Sequence, residues 1–314
     1  MDDRSPGKWR THPHIGRARS LELGVATSGF QCEGALDLPG HPSTHWLPWQ
    51  LAHRVEPIGE GAALWERFPE AARRAQAMGL RRFRMGVEWA RLCPRGDVFD
   101  AAAVEGYAAR IATLRAHGLE PIVTLLHFTH PAWLGLDFWL DDDAPARFAR
   151  YAREAAQHLG RALARRGERP IARVITLNEP NMLALASYAA GVFPHGAPAL
   201  AEGAPRGFAR TLRCLDALMA GHALAWRALH ELYAREAWPA PDVSTNVNAL
   251  DLHTFSKGLF DLLRAPSFDV PRSRLVDYMN DCRRRHHATL FDGEATSRRA
   301  RVADVLDTGL ARLA

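Results

Sequence analysis

Apolar positions in this chain gather into short dense runs, separated by longer stretches in which they recur three or four residues apart. LELGVATSG, residues 21–29, is a short apolar run closing on small residues, as a buried strand does before its loop. Residues 30–60 read as loop, punctuated by prolines and histidines; Trp46 and Trp49 are large surfaces there that need a core or a ligand to cover them. Residues 62–78 predict a helix interrupted at Pro69, and LRRFRMGVEW predicts a strand ending near Trp89. The unit then repeats: a helix over 100–118 stopped by Gly118, and a nearly continuous apolar strand, EPIVTLLHF. It recurs as a helix over 144–167 with the strand IARVITLN, residues 171–178, and again as a long helix over 207–236 with the strand VSTNVNAL, residues 243–250. About five strand-helix units in this order mark an α/β fold whose parallel strands are covered by helices.

Beyond Leu250 the pattern is less regular. It predicts a helix over 256–264, a basic run at Arg283 to His287 that reads as a solvated helix face, and a last helix over 297–313. The chain therefore divides into a polar leader, 1–20, one α/β domain, 21–250, and a divergent helical tail, 251–314, expected to pack on the same domain. With 47% hydrophobic and 24% charged residues over 314 positions, the composition excludes wholesale disorder and a small disulfide scaffold. A formal charge of +5 is too weak to argue for a nucleic-acid partner. No segment reaches the uninterrupted apolar length of a membrane span, and the four cysteines form no CxxC pair. A cytoplasmic protein with free thiols is the expectation.

In a parallel barrel or an open parallel sheet, reactive groups collect at the carboxyl ends of strands. That rule selects Gln31 and Glu33 after the first strand, Arg84 and Glu88 in the second, His127 and His130 after the third, and Asn178 with Glu179 after the fourth. Glu179 follows the apolar run VITL and precedes Pro180, so it sits where a strand gives way to a turn. A partly desolvated carboxyl group there would hold a proton near neutral pH and donate it to a leaving oxygen. Arg84 in a strand has the plainer alternative of pairing with a buried carboxylate. The HxxH spacing of His127 and His130 at a strand end does not present two ligands side by side, and no HExxH, GxGxxG or GxxxxGK occurs. Neither a metal nor a cofactor is expected.

Four segments, in order, resemble the family 1 glycoside hydrolases, the beta-glucosidase and beta-galactosidase group: ATSGFQCEG, RFRMGVEWARLCP, EPIVTLLHFTHPAWL and ITLNEPNMLALASYAAGVFPHG. With the helix around AGHALAWRALHE the likeness runs over about residues 21–236. It implies an eight-stranded (β/α)8 barrel, here C-terminally shortened, acting on β-linked glycosides with retention of configuration. It further implies that Gln31, His127 and Asn178 bind sugar hydroxyls, that Glu179 is the acid/base, and that Arg84 sits beside the nucleophile and keeps it ionised. Trp133 would help to shape the pocket. Phe128 stands where the family usually has tryptophan, and Thr129 where it often has an acid.

Retaining hydrolysis needs a second carboxylate about 5 Å from the acid/base. The family places it in a motif resembling TENG, which this sequence lacks, as it lacks the sixth-strand NYY segment and the eighth-strand tryptophan-rich segment. Only 64 residues follow Leu250, too few for three more units of about thirty residues each. The expectation is thus a glycosidase-like protein with Glu179 as acid/base and no identifiable nucleophile. Its rivals are a non-catalytic sugar-binding or regulatory homologue, a truncated product, and an enzyme using Asp251, Asp277 or Glu294 as the second carboxylate. An incomplete barrel also leaves an edge for the tail or a second copy of the chain to cover.

Overall fold

The computed structural model of the chain describes residues 22–248 and 257–290, with side chains through His286. These fall into two compact units, one spanning Glu22–Asn246 and the other beginning at Val247. In the first unit five strands, β1 (Gly24–Ala26), β2 (Arg82–Gly86), β3 (Glu120–Leu126), β4 (Arg173–Asn178) and β5 (Asp242–Asn246), form one sheet in sequence order. Every pairing is parallel. Four helices make the crossovers: α1 (Leu64–Ala77), α2 (Ala101–Ala116), α3 (Ala144–Arg165) and α4 (Arg206–Arg235). This is a parallel sheet flanked by helices, an incomplete (β/α)8-like barrel, and its element order is the one the hydrophobic pattern predicts.

Local chemistry sets the helix boundaries. Asp100 caps α2 by accepting a hydrogen bond from the Ala103 N–H at 2.8 Å, and Gly118 takes the left-handed conformation (φ +70°) just past its end. Pro69 lies inside α1, where a proline has no N–H to offer the carbonyl four residues back. That carbonyl belongs to Trp65, and the Arg110 guanidinium of α2 bonds to it instead. The same interruption leaves Arg67 with non-helical angles (φ −93°, ψ 15°), so the kink has an identifiable cause. The segment read as plain loop, 30–60, differs from expectation: it carries two short helices, Gly29–Cys32 and Leu47–Leu51. Each is too short to produce a periodic signal.

Alternation along the strands separates core from mouth. Phe83 and Met85 of β2 are buried, whereas Arg84 between them reaches across the sheet to side chains of β3, β4 and β5. On the outer layer, Phe148, Ala152, Ala155, Leu159 and Leu163 of α3 recur at helical spacing and are buried, as are Leu218, Ala225, Leu229 and Leu232 of α4, against which α3 packs. The strand edges differ in character. Leu23, just before β1, and Val25, within it, are 60% and 37% exposed, and among the described residues β1 pairs with β2 alone. At the other side the β4–β5 register shifts between Ile175 and Asn178, which brings Asn178 opposite Asn246.

The second unit contains α5 (Lys257–Arg264) and α6 (Leu275–Leu290), with Ala265, Tyr278 and Cys282 as its core and Phe268, Val270, Leu275 and Met279 packed against it. Arg284 and Arg285, in the basic run of α6, pair with Asp281 one turn back and remain 66% and 55% exposed, whereas Arg283 and His286 of the same run are half-buried. The predicted helix over 297–313 and the carboxylates Asp251 and Glu294 lie outside the described residues.

Candidate active site

The strand ends converge on Arg84. Its Nε donates to Thr124 Oγ1 on β3 at 2.8 Å, and its Nη2 donates to Asn178 Oδ1 on β4 at 2.7 Å and to Asn246 Oδ1 on β5 at 3.2 Å. Asn246 in turn donates its Nδ2 to Asn178 Oδ1 at 3.2 Å. Two donors therefore fix the orientation of the buried Asn178 amide by its oxygen, leaving its NH2 uncommitted to any described residue. The plainer alternative for Arg84, a buried carboxylate partner, is not what the described residues provide: all its hydrogen bonds end on neutral oxygens. Burial holds the guanidinium below the ordinary arginine range, against the opposing charge of Glu179.

Glu179 follows Asn178 in a left-handed backbone conformation, φ 44° and ψ 61°. Two features hold it there. Pro180 bars the right-handed helical region to the residue before it, and the Glu179 N–H donates to the Asn246 carbonyl at 2.9 Å, continuing the β4–β5 pairing past the strand end. A non-glycine residue in this region costs on the order of 1–3 kcal/mol, so the surrounding structure over-determines it. Phe128, two residues beyond β3, is likewise left-handed at φ 69°. Both turns leave strands at the same end of the sheet.

His127 joins this group. Its pKa is pushed down to about 4, chiefly by burial and secondarily by the Arg84 charge, so the ring is neutral at ordinary pH, and its buried Nδ1 has no hydrogen-bond partner. An aromatic strip continues outward from it: His127 against Phe128 (5.1 Å between centroids), Phe128 against Phe193 (5.3 Å), Phe193 against Trp46 (5.1 Å) and Trp46 against Phe30 (5.7 Å). Gln31, next to Phe30, is exposed and accepts a hydrogen bond from the Ser28 hydroxyl at 2.7 Å through Oε1. The strip supplies apolar surface and the strand ends supply convergent polar groups, the two components of a site for a polyhydroxylated ring.

Other predicted positions face elsewhere. Trp133 does not join the cluster: its indole N–H donates to the Cys93 carbonyl at 2.9 Å and the Arg147 guanidinium lies over its ring, so it ties the loop after β3 to the turn after β2. Glu33 accepts from Arg91 Nε and from the Tyr107 hydroxyl, each at 2.9 Å, within the wall of the barrel. Burial pushes its carboxyl above the usual range. Glu88 is also buried; Thr129 donates to its Oε2 at 2.7 Å, and burial drives its pKa to about 8. It supports the turn that presents His127 and Phe128. His130 stacks on His45 at 3.7 Å and donates its Nε2–H to the Gly135 carbonyl at 2.8 Å, so the HxxH pair is split between two environments. Among the described residues no group of three potential metal ligands occurs.

Sequence reasoning missed Asn246, Thr124 and the Phe193 end of the aromatic strip. Asn246 was accessible to the same rule that selected Asn178, since it closes the strand VSTNVNAL short of its predicted end. Thr124 carried no signal, because a threonine in a strand is ordinary.

Fold and site together define a partial (β/α)8-like barrel with a polar cluster and the carboxyl group of Glu179 at the carboxyl ends of its strands. The model of Glycosyl hydrolase family 1 matches residues 19–265, and the chain belongs to that family. It is 29% identical over 223 residues to the cytosolic beta-glucosidase of Homo sapiens, a match covering 68% of this chain and 44% of that protein. To the cytosolic beta-glucosidase of Cavia porcellus it is 26% identical over 270 residues, covering 78% of this chain and 53% of the relative. The chain thus spans about half the length of these curated relatives. Among solved structures, the beta-glucosidase from Thermotoga maritima in complex with castanospermine superimposes with a TM-score of 0.64 at 21% identity, covering 84% of this chain and 62% of that one. The beta-glycosidase BGL167 does so with a TM-score of 0.53 at 29% identity, covering 72% and 55%.

Proposed function

We propose that the mouth of this sheet binds a β-linked glycoside and that Glu179 is the acid that protonates the leaving oxygen. The observation that carries this reading is the Arg84–Asn178–Asn246 network, which orients the Asn178 amide and sets Arg84 within electrostatic reach of Glu179. The Asn178 NH2 and the neutral His127 ring meet sugar hydroxyls, Gln31 meets them from the β1 side, and the Phe128–Phe193 strip lies along the apolar face of the ring. Glu179 gives its proton to the glycosidic oxygen as the anomeric bond breaks and takes one back from the incoming nucleophile. Membership of the family supports the substrate class; a glucoside is the specific proposal. The free thiols of Cys32, Cys93, Cys214 and Cys282 support a reducing, cytoplasmic location.

The test pairs two aryl β-glucosides, one with a good leaving group (dinitrophenyl) and one with a poor one (phenyl), on the wild type and on Glu179→Gln. Loss of the acid should slow phenyl release by about 10²- to 10⁴-fold and dinitrophenyl release far less, because only the poorer leaving group needs the proton. Equal effects on both substrates contradict the role given to Glu179. Castanospermine binding by a protein that releases neither phenol favours the sugar-binding reading instead.

A further inference from the structure

Buried behind the strand ends, Glu88 stands where three elements that carry proposed saccharide contacts meet. Its Oε2 accepts from the Thr129 hydroxyl at 2.7 Å, and that hydroxyl also lies 3.5 Å from the His127 carbonyl, so one proton serves both Glu88 and the backbone of the turn after β3. Toward β1 the contact is Gly29, the first residue of the short helix that carries Phe30 and Gln31. A methyl on Gly29 would lie 3.0 Å from Glu88 Oε2 and 3.4 Å from Glu33 Oε1, so its backbone rests directly on both carboxyl groups. The Glu88 N–H donates to the Tyr107 hydroxyl at 2.8 Å, and that hydroxyl donates to Glu33 Oε1 at 2.9 Å.

The charges around Glu88 favour its neutral form. Arg91 is committed to Glu33 through Nε at 2.9 Å and to the Gly34 carbonyl through Nη2 at 2.8 Å, and among the described residues no cation forms an ion pair with Glu88. Ionised, Glu88 would be a second anion beside Glu33 in a buried wall. The tyrosines that feel its charge, Tyr107 of α2 and Tyr151 of α3, are held by burial well above the ordinary tyrosine range and stay neutral. Burial likewise raises Glu88 itself, to about 8. We propose that Glu88 is a positioning residue of the glycoside site: as a neutral acid it leaves Thr129 free to hold the His127 turn while the Gly29–Cys32 helix packs on its carboxyl, and its ionisation weakens glycoside binding. The inference rests on the reading of the strand-end cluster as a glycoside site. A carboxylate attracts the Thr129 proton more strongly than a neutral carboxyl does. Ionisation therefore draws that proton wholly to Oε2, strips the His127 carbonyl of it, and sets a like charge against Glu33 under Gly29. His127 and Phe128 on one side and Gln31 on the other then lose their fixed spacing.

The probe is phenyl 1-thio-β-glucoside, an uncharged glycoside whose sulfur link resists hydrolysis. It is titrated into the full chain by NMR at about pH 6.5 and about pH 9.5, on either side of the Glu88 titration. His127, with its pKa lowered to about 4, is neutral at both values, so its own titration does not enter. The wild-type dissociation constant should rise about 10-fold between the two, whereas Glu88→Gln, neutral throughout, should stay within about 3-fold of the wild type's lower-pH value at both. Thr129→Val, which deletes the shared proton, should bind about 10-fold more weakly already at about pH 6.5. Circular dichroism verifies folding at each pH; if either variant does not fold, the other carries the test. A wild-type affinity indifferent to pH, a parallel rise in Glu88→Gln, or wild-type affinity in Thr129→Val overturns the positioning role and leaves the glycoside site standing. No binding of the probe to the folded wild type at either pH removes the proposal together with the reading beneath it.

Discussion

Replacing Glu88 by glutamine should make the protein's stability less sensitive to a rise in pH from about 5 to about 8. Glu88 is buried beneath the turn that carries His127, with Thr129 Oγ1 as its close donor at 2.7 Å, and burial is the first cause of a pKa raised from 4.5 to about 8. Below the unfolded-state value both states hold the proton, and the contribution of this group is fully present. As pH rises the unfolded chain ionises first, so the contribution declines until the folded group also ionises near pH 8. At about 1.4 kcal/mol per unit, the loss between about pH 5 and pH 7.5 is on the order of 3 kcal/mol. Glutamine has no such titration and keeps an acceptor for Thr129. Urea unfolding of both proteins, followed by tryptophan fluorescence across that range, should show the wild type losing about 3 kcal/mol relative to Glu88→Gln. The neighbouring Glu33, also raised by burial, titrates in both proteins; because its charge is one of the causes that raise Glu88, it cancels from the difference only in part. Parallel stability profiles would refute the buried, protonated state assigned to Glu88.

Two further outcomes follow from packing and from histidine burial. Gly160→Ala on α3 places a methyl 2.2 Å from the Trp238 ring and should cost about 1–3 kcal/mol in thermal or urea unfolding; an unchanged midpoint would mean that the Trp238 ring yields freely. His130, held neutral by burial with its pKa lowered to about 4, resists a proton that the unfolded chain accepts, so stability falls as pH drops from about 6.5 to about 4. The same urea series on His130→Phe should show a shallower acid decline, and an identical decline would place the titration elsewhere.

The strand-helix alternation was legible because long helices such as α3 repeat their apolar face over several turns and the parallel strands are nearly continuous apolar runs. Boundaries were less so: VSTNVNAL reads as a strand to Leu250, whereas β5 ends at Asn246, where the backbone turns to serve the Glu179 N–H. At the site, position after a strand selected Arg84, His127, Asn178 and Glu179, which lie together at one end of the sheet, but position alone does not say which way a side chain turns. Glu33 and Glu88 satisfy the same positional rule and instead bond within the barrel wall, to Arg91 and Tyr107 and to Thr129. Trp133 shares a segment with His127 yet turns toward Cys93. Such choices depend on partners distant in the chain, which a one-dimensional pattern does not contain. Asn246, which bonds to Arg84 162 positions away, was missed because the strand was read on to Leu250 and its true end was not recognised.

The central claim, that Glu179 and the Asn178 amide face a saccharide at the mouth of the sheet, is tested most directly by binding, independently of turnover. Castanospermine is a polyhydroxylated amine whose nitrogen would take the Glu179 proton and pair with the carboxylate so formed. Calorimetric titration should find it bound by the wild type and weakened about 10-fold or more in Glu179→Gln and in Asn178→Ala, the loss of one charge-assisted or one ordinary buried hydrogen bond. No binding to the folded wild type, or equal affinity in all three proteins, would contradict the account.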